Sequence, residues 1–209
     1  MKTLFIPAKS DAEIPLNKID LKALPKEIAL ATTVQHLHKL DEVKKYLEKN
    51  KIKTKLIGQV LGCTKLKCKT DILFIGSGRF HAINLAKYGN VFALDPFTGK
   101  FSQIEQKEID MIAKRKKGAL IKFYSSQKIG ILVSMKKGQN RMKDALALEK
   151  KYPAKEFFVF AFDTLDFNEF ENFPFVECWV NTACPRIAED YERSRKLIVN
   201  IDDLEQKSL

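Results

Sequence analysis

The sequence predicts an α/β protein of two consecutive Rossmann-like units, each with a parallel sheet flanked by helices. Three observations carry this. Short apolar runs such as DILFI (71–75) and KIGILVS (128–134) have the length and β-branched content of buried strands. Stretches with apolar residues three and four apart separate them, so strand and helix alternate along the chain. The length, 209 residues, allows two small domains with a core each.

In chain order, Lys26 to Val34 reads as a buried strand. Leu37 to Asn50 follows as a helix with Leu37, Leu40, Val43 and Leu47 on one stripe. Ile52 to Ile57 and Asp71 to Ile75 are the next strands. The turn Gly76-Ser77-Gly78 opens a helix from Arg79 to Tyr88, stopped by Gly89. Val91 to Leu94 is a fourth strand, closed by Asp95-Pro96 and a turn at Gly99. A helix from Gln103 to Lys117, ended by Gly118, leads into the second unit. There Ala119 to Tyr124 and Lys128 to Ser134 are expected as strands, with a helix from Arg141 to Lys151. Glu156 to Ala161 and Phe175 to Val180 complete the strands, and Thr164 to Phe170 is a short helix between them.

Composition narrows the function. With 45% hydrophobic and 30% charged residues the chain is of ordinary globular type. No apolar run approaches the roughly 20 residues a membrane helix needs, and Met1 to Pro15 lacks the pattern of a signal peptide, so a cytoplasmic protein is expected. The formal charge of +11 suits anionic partners. The same Lys-rich, Arg-poor balance also follows from genome bias or thermal adaptation. Direct nucleic-acid binding is not expected, because no array of stacking aromatics and arginines accompanies the charge.

In open parallel sheets ligands bind beyond the carboxyl ends of the strands. The loops there hold Gln59 to Cys63, Gly76 to His81, Asp95 to Phe97, Lys136 to Gln139 and Asn181 to Arg186. Gln35 follows the first strand. Candidate cofactor-binding residues are therefore Gln35, Gln59, Gly76, Gly78, Arg79, His81, Asp95, Gln139 and Arg186. Gly76-x-Gly78 before a helix permits close backbone approach to an anion, and equally serves the geometry of a strand-to-helix turn. His36 and His38, two residues apart on a helix, face different ways and make no joint metal site.

Four cysteines are present. Cys63 and Cys184 lie at the two functional edges, the first before a Lys-rich turn that favours its thiolate. Cys184 precedes Pro185, and Cys-Pro recurs at iron–sulfur ligands. Each reads equally as a metal ligand or as a packed small residue. Cys178 falls inside a strand and reads as buried; Cys68 reads as a half-exposed non-ligand, and both stand as further possible ligands.

The ordered set Thr32-Thr33-Val34-Gln35-His36, Gly58-Gln59-Val60-Leu61-Gly62-Cys63, Gly76-Ser77-Gly78-Arg79-Phe80-His81, Asp95-Pro96 and Val180-Asn181-Thr182-Ala183-Cys184-Pro185-Arg186-Ile187-Ala188 resembles the archaeal diphthamide synthase family. The resemblance spans nearly the whole chain. It implies a non-classical radical S-adenosylmethionine enzyme with a [4Fe-4S] cluster held by three cysteines, one from each of three similar domains. The family transfers the 3-amino-3-carboxypropyl group of S-adenosylmethionine to a histidine of translation elongation factor 2. Cys63 matches the middle-domain ligand and Cys184 the last-domain ligand, while Gln59, Arg79, His81 and Arg186 match polar positions lining the cleft.

On that resemblance, residues 1–25 correspond to the end of a first domain, 26–105 to the middle domain and 106–209 to the last. The first-domain cysteine has no counterpart. The expectation is an enzyme completed by a partner chain supplying the missing domain, or a homodimer. Two other readings are a non-catalytic scaffolding subunit without its own cluster, and aminocarboxypropyl transfer to RNA.

Overall fold

A computed structural model describes residues 4, 6–67, 69–190 and 196–205. Two compact units divide the chain, residues 1–109 and 110–209.

The first unit holds β1 (Glu27–Thr32), β2 (Lys53–Gln59), β3 (Ile72–Ile75), β4 (Val91–Leu94) and β5 (Phe101–Gln103), ordered β2-β1-β3-β4-β5. The first four are parallel and β5 runs antiparallel to β4, an edge strand the sequence reading did not contain. The central strands are apolar on both faces because helices cover both. Ile28, Leu30, Leu73, Ile75 and Leu94 pack with Leu40, Val43 and Leu47 of α1 (Leu40–Lys49). Ala29, Ala31, Ile72, Phe74 and Val91 pack on the other side with Ala82 and Leu85 of α2 (Phe80–Leu85). A 3-10 turn, Val34–Lys39, occupies what reads as the start of the first helix.

The second unit contains β6 (Lys128–Ser134), β7 (Glu156–Phe162), β8 (Cys178–Asn181) and β9 (Ile198–Asn200), all parallel and ordered β7-β6-β8-β9. One face packs Ile129, Ile131, Val133 and Val180 on Ala119 and Phe123 of α3 (Gln106–Ser125) and on Ala145 and Leu148 of α4 (Met142–Lys151). The other face is aromatic: Trp179 stacks on Phe170 at 4.2 Å, with Phe160 and Phe173 around them. The short helices α5 (Arg186–Glu189) and α6 (Ile201–Glu205) flank β9.

The expected strand Ala119 to Tyr124, and the helix stop at Gly118, are corrected: α3 runs unbroken through both. Ala119 and Phe123, four apart, are buried while Ile121 and Tyr124 are more than half exposed, which is helical periodicity. Gly118 faces open space, and a glycine there costs the helix only about 1 kcal/mol. No described helix is long and apolar enough to cross a membrane.

Candidate functional site

In each sheet the chain reverses its direction of winding beside the first strand, between β1 and β3 in one unit and between β6 and β8 in the other. A crevice opens at the carboxyl ends of such a strand pair. A buried threonine spans each. Thr32 Oγ1 donates to the Ile75 carbonyl at 2.7 Å, and Thr182 Oγ1 donates to the Leu132 carbonyl at 2.8 Å.

The loop after β2 carries Cys63, exposed and free. Its local fold is a turn in which Thr64 Oγ1 accepts the Leu61 amide at 2.7 Å and the Thr64 amide donates back to the Leu61 carbonyl. Gly62 sits against the Phe80 ring at the start of α2, where a Cβ would stand 2.3 Å from a ring carbon. Only glycine permits that approach, and it brings the cysteine loop against the helix that follows Gly76 and Gly78. Gly78 has φ +76°, a left-handed turn residue. His81 is half-buried between the rings of Phe74 and Phe80.

The Arg79 guanidinium is held by α3 and β5. Its Nε donates to Glu108 Oε2 at 2.9 Å, Nη2 pairs with Glu108 Oε1, and Nη1 donates to Ser102 Oγ at 2.7 Å. Hydrogen bonding to Arg79 holds the Glu108 carboxyl below its ordinary value, burial opposing it, and the Glu105 amide bond adds to the lowering. Glu108 thereby closes the first turn of α3, and Arg79, bonded to Ser102, ties β5 to the start of α2. Asp95 is likewise spent on its own turn, accepting the Phe97 amide at 2.9 Å. Gln35 in the 3-10 turn after β1, Gln59 at the end of β2 and Gln139 in the loop after β6 are exposed. His36 is buried with its ring edge-on to Phe97 at 5.7 Å; its pKa is lowered by burial first, then by Lys39 and His38. His38 is exposed, so the two histidines do not converge.

In the second unit Cys184, half-buried and free, lies two residues past the backbone step after β8. Its loop is built from below by side chains. Asn181 Nδ2 donates to the Cys184 carbonyl at 2.9 Å and to Asn200 Oδ1 at 2.7 Å, while Asn181 Oδ1 accepts the Ala183 amide at 3.0 Å. Asn200 Nδ2 reaches the Pro185 carbonyl at 3.3 Å. Asn200 is absent from the sequence reading because β9 is; the signal was a second Asn ending a short apolar run, IVN. Arg186 is exposed and pairs with Asp190 at 3.5 Å.

Cys178 opens β8 at the opposite end of the strand from Cys184. It is buried, and burial pushes its thiol up to about 11. A metal would have to deprotonate that thiol inside the core, so its place suits a packed core residue. Cys68 lies outside the described residues. Among the described residues no three metal-ligating side chains cluster.

The family model of the diphthamide synthesis protein matches residues 1–205. The chain is 33% identical to the 2-(3-amino-3-carboxypropyl)histidine synthase of Pyrococcus horikoshii, over 97% of this chain and 64% of the relative. It is 31% identical to the enzyme of that name from Methanocaldococcus jannaschii, over 95% and 59%. Among solved structures, Dph2 from Pyrococcus horikoshii superposes with a TM-score of 0.78 at 33% identity, over 89% of this chain and 58% of that one. Dph2 from the same organism with a 4Fe-4S cluster superposes at 0.75, with 32% identity and the same coverage. The chain thus spans about three fifths of the length of these relatives. With that match over nearly its whole length, the chain belongs to the diphthamide synthesis protein family.

Proposed function

We propose that Cys63 and Cys184 are protein ligands of a [4Fe-4S] cluster used to transfer the 3-amino-3-carboxypropyl group of S-adenosylmethionine to a histidine of translation elongation factor 2. One observation carries the reading: each unit presents one free cysteine just past the carboxyl end of its sheet, while the third described cysteine is buried in the core. The donor set fits, since iron–sulfur clusters take thiolates from loops and Cys184-Pro185 has the local form of such a ligand. When bound, the cluster supplies a low-potential electron and an iron site open to the substrate's methionine end. The remaining thiolate we assign to a further cysteine, on a partner chain or a second copy of this chain.

The chain's own groups do the holding. The Gly76-Ser77-Gly78 turn, with its bare backbone, and the exposed Gln35 and Gln59 border the first crevice and suit a carboxylate and amine. Arg79 serves by fixing that turn through Glu108 rather than by touching the anion. Gln139 and Arg186 border the second crevice.

Anaerobic reconstitution of the full chain with iron and sulfide, together with the protein that co-purifies with it, tests the assignment. Cys63→Ala and Cys184→Ala should each lower bound iron and the visible sulfide-to-iron absorption, and Cys178→Ala should leave both unchanged. Equal loading of a Cys63/Cys184 double variant rejects the ligand assignment. Full loading without transfer to elongation factor 2 rejects the activity and leaves a scaffold.

A further inference from the structure

The first unit carries a run of positive charge that neither its core nor its crevice uses. From Lys49 to Lys69 the chain has seven lysines and no aspartate, glutamate, arginine or aromatic residue. None of the seven forms an ion pair among the described residues. A surface that leaves so much like charge unneutralised repels itself and attracts anions.

The fold gathers these lysines on one face. Lys55 stands beside Ala29 in register, and Ala29 packs on the α2 side of the sheet. Lys53, two residues back on the same edge strand, shares that side. The loop after β2 returns over it: Val60 and Leu66 pack with Ala82 and Leu85, and the Tyr88 hydroxyl donates to the Thr64 carbonyl at 3.4 Å. Along this loop burial alternates. Gly62, Thr64 and Leu66 are half-buried, while Cys63, Lys65, Lys67 and Lys69 are exposed. The cysteine therefore heads an outward row of lysines. Lys87 adds a further cation nearby, its ammonium 5.1 Å from the Tyr88 ring centre. Two acids border the face: Glu27, opposite Lys53 in register, and Asp71, whose carboxylate accepts the Asn90 amide at 2.8 Å.

We infer that this face is the docking surface of an acidic one-electron carrier protein, which hands its electron over beside Cys63. The residue types choose the partner. Nucleic-acid phosphates are taken by the forked guanidinium of arginine and bases by aromatic rings, and the run has neither. Long-lived protein complexes are anchored by Trp, Tyr and Arg, also missing from it. Hydrated lysines alone make fast, weak, salt-sensitive encounters, the small contacts typical of redox partners. A carrier must arrive, give up one electron and leave. The inference rests on the cluster assignment above, because the electron needs an acceptor at Cys63. The balance is simple: the reduced carrier loses one electron, the cluster gains it, and no bond or proton moves.

An acidic flavodoxin serves as the probe. The full chain, before any cluster is built, should bind it. That binding should weaken steeply from about 0.01 M to about 0.1 M salt, as the screening length falls from about 30 Å to about 10 Å. Lys65→Glu combined with Lys67→Glu should weaken it about tenfold, the scale of lost charge steering. Lys114→Glu combined with Lys117→Glu, exposed on α3 and equal in net charge, should leave it unchanged. In the iron-loaded protein the Lys65/Lys67 variant should be reduced by flavodoxin about tenfold more slowly, and by dithionite at the wild-type rate. Failure to load iron counts against the cluster assignment. A chain that loads iron and is reduced by dithionite, yet binds no flavodoxin, overturns the docking inference. Equal weakening by the two double variants overturns it too, since net charge would then explain the attraction. So does a short single-stranded RNA that binds this face more tightly than flavodoxin does.

Discussion

The two cysteine loops sit at equivalent places, past the ends of parallel strands, yet they are built in opposite ways. The Cys184 loop rests on a buried scaffold in which Asn181 grips Ala183, Cys184 and Asn200 at once. The Cys63 loop has a surface turn at Thr64, the Tyr88 hydroxyl on the Thr64 carbonyl at 3.4 Å, and the seat of Gly62 on Phe80. A ligand fixed by buried hydrogen bonds is preorganised, whereas one on a shallow turn keeps local freedom. If both hold one cluster, Cys184 is the fixed post and Cys63 the adjustable one. A substitution beneath Cys184 should therefore cost more than its counterpart beneath Cys63.

The largest effect is expected from Asn181→Leu, which keeps the branched outline and removes the amide's donor and acceptor. It strands the Ala183 amide, one bond to the Cys184 carbonyl and Asn200 Oδ1 in a place where Asn181 and Asn200 are almost fully buried. At about 1–3 kcal/mol for each unsatisfied buried group, partly relieved by relaxation, a loss of about 3 kcal/mol is expected in a denaturant titration. Iron retention should fall with it. Wild-type stability in this variant would show that the asparagine clamp does not hold the loop.

Gly62→Ala comes next. The new methyl meets the Phe80 ring at 2.3 Å, and the half-buried ring must shift. Overpacking of this kind costs about 1–2 kcal/mol. Adding Phe80→Leu should recover most of it, because the two positions are in contact and couple. Failure of that rescue, measured as a double-mutant cycle, would mean the loop and α2 are independent.

The bridging threonines should cost less and unequally. Thr32→Val and Thr182→Val each remove one buried hydroxyl bond, about 1 kcal/mol. The Leu132 carbonyl keeps the Thr182 amide at 3.1 Å as a second partner, so Thr182→Val should be the milder change. Equal midpoints would contradict that ordering.

The same asymmetry explains what the sequence could disclose. The sheets that carry both loops were legible because β3, β4 and β6 are apolar runs ended by glycine, an Asp-Pro pair or polar residues, signals confined to a few neighbours. Their supports were not. Asn200 acts on Asn181 from 19 residues away on a three-residue strand too short to show alternation. Arg79 read as a charge for a ligand because Glu108, 29 residues on, becomes its partner only through the antiparallel return of β5. Gly118 misled in the other direction: its local stop signal is overridden by Ala119 and Phe123 packing on the second sheet. Sequence showed where chain ends meet solvent, and tertiary contacts decided which polar group serves which.

The smallest expected effect concerns that hidden pair. The hydrogen bond from Arg79 holds the Glu108 carboxyl below the ordinary carboxylate range. A carboxyl depressed in the folded state stabilises it above the unfolded pKa, and the contribution drains away as pH falls through the folded one. Glu108→Gln removes the charge while keeping an acceptor for the Glu105 amide. At neutral pH it should cost about 0.5–1 kcal/mol, the scale of a partly exposed ion pair. The gap from wild type should hold from pH 7 down to the ordinary carboxyl range and close below it. A gap that persists at pH 2 would mean that the lost contribution is packing of the side chain against the start of α3. A gap that vanishes would assign it to the charge, and with it the fixing of the Gly76 turn that borders the adjustable Cys63 loop.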